Sequence, residues 1–344
     1  MKTYAFRLIA AVYLGVSVGG AAAVAQSRGA TGGAAPHVAA AKAAAGKDRG
    51  AGVLVSRLCV APPPVRAPQP QAAQQPAAQP QGPPPRSEWA AEPVKVFDNL
   101  YFVGEKEYTA WAVVTSDGII VIDPLFDYSV EEQVVNGLVK LGLDPKRIRY
   151  VLVSHAHRDH VAGARLLQER FGARVVMSAA DWELLETDTG RWPKAKRDIV
   201  ATDGQKLTLG DTTLTLHLTP GHTLGTISTI IPVKDGGRSH VAALWGGTGF
   251  NWQSGSPRYI TPDRPARFWY ENYSNSARRF SDIAAKAGAD VLLSNHPVYD
   301  ASDVNLPAMA KRRAGDPHPY VIGRDGVSRF LTVAEECAKA GPLW

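Results

Sequence analysis

Residues Ser154-His155-Ala156-His157-Arg158-Asp159-His160 place four metal-capable side chains within six positions, directly after the apolar run Tyr150-Val151-Leu152-Val153. His155 and His157 are two apart, so in an extended segment leaving a strand their imidazoles share one side and one ion can take both. Asp159 and His160 stand where Val161 to Leu167 begins a helix. They project from another direction and suit a second ion. Imidazole with carboxylate fits zinc first, with iron or manganese as alternatives. A multi-ligand motif between a strand and a helix is specific, and the competing reading is an ordinary polar turn.

The elements that must hold this motif occupy only part of the 344 residues. The net charge of +6 lies wholly in the first 92 residues, where nine Lys and Arg face three Asp and Glu. The remainder is balanced, so the basic pI gives no reason to expect nucleic acid or an acidic surface as partner. Residues 1–25 read as a secretory signal: Lys2 and Arg7, an apolar run from Leu8 to Val18, and a small-residue site at Ala23-Val24-Ala25. An uncleaved anchor is the alternative. No later run reaches the length of a membrane span, which predicts a soluble protein, periplasmic or secreted. Residues 26–92 lack an apolar period and are rich in Pro, Gln and Ala, predicting a flexible tether with no identified partner. Cys59 and Cys337 either pair or stay free. Neither lies near the histidines, so a thiolate ligand is not expected.

From Pro93 onward the texture is that of a folded domain, 93–344. Short strands are expected over Val94–Phe97 and Asn99–Val103, then Ala110–Val114, and Ile119–Ile122 as a buried strand ended by Asp123. Ser129 and Glu132 form a capping-box pattern opening a helix with Val130, Val134 and Leu138 on its apolar face. Ala173–Met177 returns as a strand, Ala179–Glu186 as a helix, and the polar stretch Thr187–Arg197 carries Arg191 and Trp192. The alternation from Lys206 to Leu218 predicts a hairpin with His217 on its solvent side. Pro220-Gly221 turns the chain and sets His222 at the tip. Strands Thr226–Pro232 and Val241–Trp245, a helix over Ala266–Ala287 and a strand at Val291-Leu292-Leu293 follow. That last strand ends in Ser294-Asn295-His296-Pro297, and the proline restricts the backbone of His296. Helical segments near Ala308–Ala314 and Leu331–Ala340 close the chain. Every candidate ligand follows a strand end, as in two packed sheets with helices outside.

Asp123, the His155 to His160 motif, Thr219-Pro220-Gly221-His222-Thr223 and Leu292-Leu293-Ser294-Asn295-His296-Pro297 together resemble the metallo-β-lactamase superfamily, from about Val94 to the C-terminus. The resemblance implies an α/β fold, an αββα sandwich, with two zinc ions per chain. It implies His155, His157 and His222 on the first ion, Asp159, His160 and His296 on the second, and Asp123 steadying the motif loop. Glyoxalase II and related phosphodiesterases carry a bridging aspartate where this chain reads Leu244-Trp245-Gly246-Gly247-Thr248-Gly249, and other lactamase subclasses carry a cysteine there. The pattern is most similar to the cysteine-free lactamase subclass, except that Gly247 and Gly249 stand where that subclass places serines for the substrate carboxylate.

The resemblance implies a binuclear zinc hydrolase in which the ions lower the pKa of a shared water towards ~7 and so supply a hydroxide nucleophile. Asp159 would also orient that nucleophile. A small-molecule substrate is expected, first the amide of a β-lactam antibiotic, with Thr248, Asn251, Arg191 and Trp192 as candidate contacts. The missing serines favour a second reading, an exported hydrolase acting on another ester, lactone or thioester. A third is a non-catalytic metal-binding protein.

Overall fold

The computed structural model describes residues 33–62, 82–313 and 315–344. The signal read over 1–25 and the proline-rich run at 63–81 lie outside the described residues. In chain order come α1 (Ala34–Ala45), α2 (Arg49–Leu58) and the single turn α3 (Arg86–Trp89). Strands β1 (Val94–Lys95), β2 (Leu100–Phe102), β3 (Trp111–Thr115) and β4 (Gly118–Ile122) lead to a π-helical turn at Glu131–Val135 and α4 (Asn136–Lys140). Next are β5 (Ile148–Leu152), α5 (Arg158–Val161), α6 (Ala164–Phe171), β6 (Arg174–Ser178), α7 (Ala179–Glu186) and β7 (Ile199–Ala201). The second half runs β8 (Gln205–Leu209), β9 (Thr212–Leu218), β10 (Ile227–Asp235), β11 (Arg238–Trp245), α8 (Ala266–Ala287), β12 (Val291–Ser294), α9 (Ser302–Met309) and α10 (Gly323–Ala340).

Strands β1 to β7 form one sheet of seven in sequence order, and β12-β11-β10-β9-β8 form a second of five. The αββα sandwich is therefore what the chain builds. Its layering follows from strand periodicity. Along β4, Ile120 and Ile122 enter the core between the sheets, facing Leu214, Leu216, Leu244 and Leu293. Ile119 and Val121 face the other way, under Val130, Val134, Leu138 and Leu167 of the covering helices. The outer face of the second sheet is closed by α8 and α10 around Trp245, Tyr273, Phe280 and Phe330. Helix α8 earns that place by spacing, since Trp269, Tyr273, Ala277, Phe280 and Ala284 recur every three or four residues on its buried face. Gly288, left-handed at φ 74°, ends it.

The structure corrects the tether over 26–92 in its described part, residues 33–62 and 82–92. Within it α1 and α2 pack against α10, burying Ala41, Ala45, Ala51, Leu54 and Leu58 in the same cluster as Phe330 and Leu331. Asp48 caps α2 by accepting from the Ala51 amide at 2.7 Å, and a Cys59–Cys337 disulfide fixes this layer to α10. Alanine is the best helix former but carries no apolar signature, so the helices need a partner surface that lies some 300 residues away to become visible. The Ser129 capping box does not form. Ser129 is fully buried with its hydroxyl unpartnered, while Glu132 pairs with Arg86 from the α3 strap. His217 is not solvent-facing either, because α8 covers it and its ring lies 6.2 Å from Phe280. The C-terminal helices start earlier than expected, at Ser302 and Gly323. Among the described residues no helix is long and apolar enough to cross a membrane.

Candidate metal centre

Both sheets end their strands at one edge, and the six candidate ligands meet there. Asp123 leaves β4 with φ 57° and Leu125 follows with φ 63°, a left-handed backbone that costs a non-glycine residue about 1–3 kcal/mol and gathers at functional sites. What holds it is the buried carboxylate, which accepts from the Ser154 amide and the Ser154 hydroxyl, each at 2.7 Å, and lies 3.3 Å from His160 Nδ1. One side chain thus fixes the start of the histidine loop and a ring on α5. His157, extended at φ −78° and ψ 148°, is the residue from which α5 begins. Gly221 lets the next ligand in: its φ is 151° and a Cβ there would lie 2.6 Å from Tyr273 Cα, so the turn before His222 fits against α8 only with glycine.

The first triad is His155, His157 and His222, whose donor atoms lie within 4.8 Å of one another. His222 Nε2 is 3.1 Å from both His155 Nε2 and His157 Nδ1. The opposite nitrogens of two rings face carbonyls, His155 Nδ1 at 2.8 Å from the Gly246 oxygen and His222 Nδ1 at 2.7 Å from that of Gly249. A carbonyl only accepts, so these Nδ1 atoms carry the protons and the Nε2 lone pairs point inwards. Lone pairs so close repel unless a cation sits between them. Tetrahedral zinc with nitrogen at 2.0–2.1 Å sets its ligands about 3.3 Å apart, close to the spacing here. Burial, then the neighbouring rings, holds His155 and His157 well below the ordinary histidine range, and burial brings His222 down to about 4.

The second triad, Asp159, His160 and His296, meets the same distance criterion. Asp159 Oδ2 is 3.2 Å from His160 Nε2. Burial opposes a charge on His160, yet Asp159 and then Asp123 outweigh it and push the ring up to about 10. Burial likewise opposes charge on Asp159, but His160 holds it well below the usual carboxylate range. His296, with Nδ1 at 3.1 Å from the Glu107 carbonyl, is taken down to about 3 by burial and then by the charge of His160. Donor type and spacing in both triads fit a metal site. The ring centres of His155 and His160 are 4.4 Å apart, so the triads adjoin. No carboxylate stands between them at the end of β11, and a Cβ on Gly247 would lie 2.5 Å from that of His222.

Three further residues hold the site together in roles that the sequence reading did not assign. Asp181, fully buried on α7, accepts from the Ala156 amide at 2.9 Å, the Thr223 hydroxyl at 2.9 Å and the Gly225 amide at 3.1 Å. It ties the loop between His155 and His157 to the loop after His222. The only local trace is a Ser-x-x-Asp cap pattern, Ser178 to Asp181, whose carboxylate is spent on the site rather than on its own helix. Asn295, also fully buried, donates to the Gly246 carbonyl at 2.7 Å and to Ser154 Oγ at 3.2 Å. The Tyr259 hydroxyl lies 2.7 Å from His157 Nε2.

The candidate substrate contacts divide. Asn251 is at the site, its amide nitrogen 3.3 Å from His222 Nε2. Thr248 is 1% exposed, turned inwards with its hydroxyl 3.4 Å from that of Ser294. Arg191 is exposed, and Trp192 packs against the helix layer under the Lys194 ammonium, 4.9 Å from its ring centre. Neither lines the 520 Å³ groove beside His157, whose walls include Thr223, Leu224, Arg258, Tyr259 and Trp269. The loop carrying Arg191 and Trp192 folds back on α6 through Gln168 and Arg165, which removes those two side chains from the cleft.

A family profile described as the metallo-beta-lactamase superfamily matches residues 103–235. Among solved structures, the subclass B3 metallo-beta-lactamase BJP-1 of Bradyrhizobium japonicum superposes with a TM-score of 0.59 at 28% identity, covering 72% of this chain and 93% of that one. The native FEZ-1 metallo-beta-lactamase of Legionella gormanii gives 0.60 at 26% identity, covering 70% and 91%. By sequence, a hydroxyacylglutathione hydrolase of Acidiphilium cryptum is 30% identical over 168 residues, 49% of this chain and 61% of that protein. The matches thus span less than two thirds of the curated relatives' length, and 29% of the hydroxyacylglutathione hydrolase of Cereibacter sphaeroides.

Proposed function

We propose, from the premise that this chain carries a metallo-β-lactamase superfamily domain and is a hydrolase of that superfamily, that it holds two zinc ions and opens the amide of β-lactams. The observation that carries the reading is the pair of three-ligand sites, His155-His157-His222 and Asp159-His160-His296, abutting at one sheet edge without a carboxylate between them. Zinc bound there would supply Lewis acidity and a water ionised near neutral pH. The chain's own residues do the rest. Gly246 and Gly249 fix the tautomers of His155 and His222. Asp123 and Asn295 immobilise the motif loop from either side, and Asp159, drawn towards His160 as a carboxylate, can also orient a nucleophile. The likeness to B3 lactamases over more than nine tenths of their length supports the substrate class.

A second reading, thioester or ester hydrolysis, is favoured by the hydroxyacylglutathione hydrolase relatives and by the glycines at 247 and 249. The test is a panel of nitrocefin, a carbapenem and a hydroxyacylglutathione thioester, with zinc stoichiometry measured on the same sample. Lactam turnover abolished by a chelator is the expected result. Thioester turnover without lactam turnover would give the second reading, and two bound zincs with no hydrolysis of any ester or amide would leave a metal-binding protein. We further place the enzyme outside the cytoplasm, supported by the signal pattern at 1–25 and by the Cys59–Cys337 disulfide. Cell fractionation that recovers it only in the cytosol would sink that placement.

A further inference from the structure

We infer that the groove beside the second triad is a subsite for an ammonium group on the substrate, a deepening that rests on the hydrolase reading above. The groove has a volume of 660 Å³ and is closed on one side by the strap Gly82–Trp89. It adjoins the site directly. The Tyr108 ring is 5.3 Å from that of His296, and the Glu107 carbonyl pairs with His296 Nδ1.

Its wall is aromatic and continuous. Phe126 and Tyr128 stack at 4.9 Å, Tyr108 meets Phe126 edge-on at 5.1 Å, and Trp89 meets Tyr128 at 5.8 Å. Its charge is acidic: Glu88, Glu105, Glu107 and Asp127 line it against the single guanidinium of Arg158. Glu105 is the decisive residue. It is 1% exposed, and neither carboxyl oxygen has a hydrogen-bond partner. The Ser129 hydroxyl stands beside it and eases its charge without reaching full hydrogen-bonding geometry. Burial pushes its carboxyl up to about 7, so above that pH the wall holds a poorly solvated anion that a cation in the groove would offset. Aromatic faces with carboxylates make the environment that attracts a cation and repels an anion.

Arg158 shows the pattern at work within the chain. Its guanidinium lies 5.9 Å from the Phe126 ring centre while bonding Asp127 at 2.9 Å. The groove at the first triad differs, for there Arg258 and Arg264 offset Asp181, Glu183 and Asp188. An amine-bearing substituent is therefore directed to the side of His296.

The test compares benzylammonium with benzyl alcohol, its uncharged counterpart, by calorimetric titration of the full chain at pH 8 and low salt. It is run with zinc-loaded and with chelator-stripped protein. Benzylammonium is expected to bind about 10-fold more tightly than the alcohol in both states. Glu105→Gln should remove about that factor. The double change of Glu88→Gln with Asp127→Asn, both nearer the surface, should lower it about threefold and serves if Glu105→Gln fails to fold. Equal binding of the two probes, or ammonium affinity held within twofold in all these variants, overturns the inference. Ammonium binding without any hydrolysis sinks the hydrolase reading and leaves the subsite, whereas hydrolysis with no preference for the ammonium sinks the subsite alone.

Discussion

The two triads are built from nearly the same side chains and solve opposite electrostatic problems. His155, His157 and His222 are neutral bases whose second nitrogens meet two carbonyls and a phenol, and burial outweighs the pull of Asp159 on His157 and His222, so the lone pairs gain most from an ion at their centre. Asp159 and Asp123 flank the His160 ring at 3.2 and 3.3 Å, two carboxylates that favour a proton on it. A metal entering the second triad must displace a proton from His160 before it gains the imidazole. The difference teaches that the first triad is organised for an ion whatever the pH near neutrality, while the second is a site that protons contest.

The largest effect that sharpens this contrast is the removal of one ligand from each triad. Outer partners of metal ligands are worth about 10–100-fold in affinity or activity, so loss of a ligand itself should exceed ~100-fold. His222→Ala is expected to lose the first ion and, with it, at least 100-fold in activity on whichever substrate is turned over. His160→Ala should keep the first ion and lose the second. Metal analysis after gel filtration reads both. A protein in which either change strips both ions equally would show that the triads are one site rather than two.

Acidity separates them next. Because His160 sits at about 10, affinity for the second ion should rise about tenfold per pH unit from 6 to 9, as one proton is released per ion. Affinity for the first should stay flat over that range, since His222 lies near 4. The same shifts contribute to the stability of metal-free protein, beside the buried carboxyls of Glu105, Asp181 and Asp300, raised to about 7, 6 and 7, whose contribution is lost as pH rises from about 4 to 7. His222 and His296 are depressed below the unfolded value near 6.5, so the unfolded chain binds more protons below that pH and stability rises as pH approaches it. His160 is raised, so its contribution is complete below about 6.5 and is lost as pH climbs towards 10. Above pH 7 the His160 contribution is the one left to lose, so a urea midpoint of the stripped protein that falls between pH 7 and 9, and falls less in His160→Ala, is expected. A midpoint flat over that range would break the contrast.

The clustering of the His155 to His160 motif was legible because its metal-capable side chains are local and chemically specific, whereas His222 and His296 join it through the family resemblance. The sandwich was legible because β4, β9 and α8 carry their periods within a few residues. What escaped depends on partners distant in the chain. Helix α1 is readable only against α10, and Asn295 is readable only once β12 lies beside β11. Thr248 and Trp192 are candidates by position, one beside Gly247 and Gly249 and the other in the polar loop 187–197, whereas burial and loop packing decide their direction. Asp181 escaped for the same reason, since none of its loop partners lies on its own helix.

Asp181 also supplies the smallest effect. Its carboxylate touches no ligand ring, yet it bonds the backbone beside His155 and His157 and the loop after His222, so it belongs to the first triad alone. In Asp181→Asn one oxygen can still accept from Ala156 and Thr223, but the amide NH2 must face the Gly225 N–H, donor against donor. The expected cost is about tenfold in affinity for the first ion, with the second unchanged. Asp181→Ala leaves the Ala156 and Gly225 amides unpaired in a buried place at about 1–3 kcal/mol each, while the Thr223 hydroxyl keeps Thr226 Oγ1 at 2.8 Å, and should lower the melting temperature more than it lowers the ratio of the two affinities. Competition titration with a chromophoric chelator separates the cases. If Asp181→Asn weakened both ions alike, the loop it holds would serve the whole edge, and the independence of the triads would fail at the residue where it is most exposed to test.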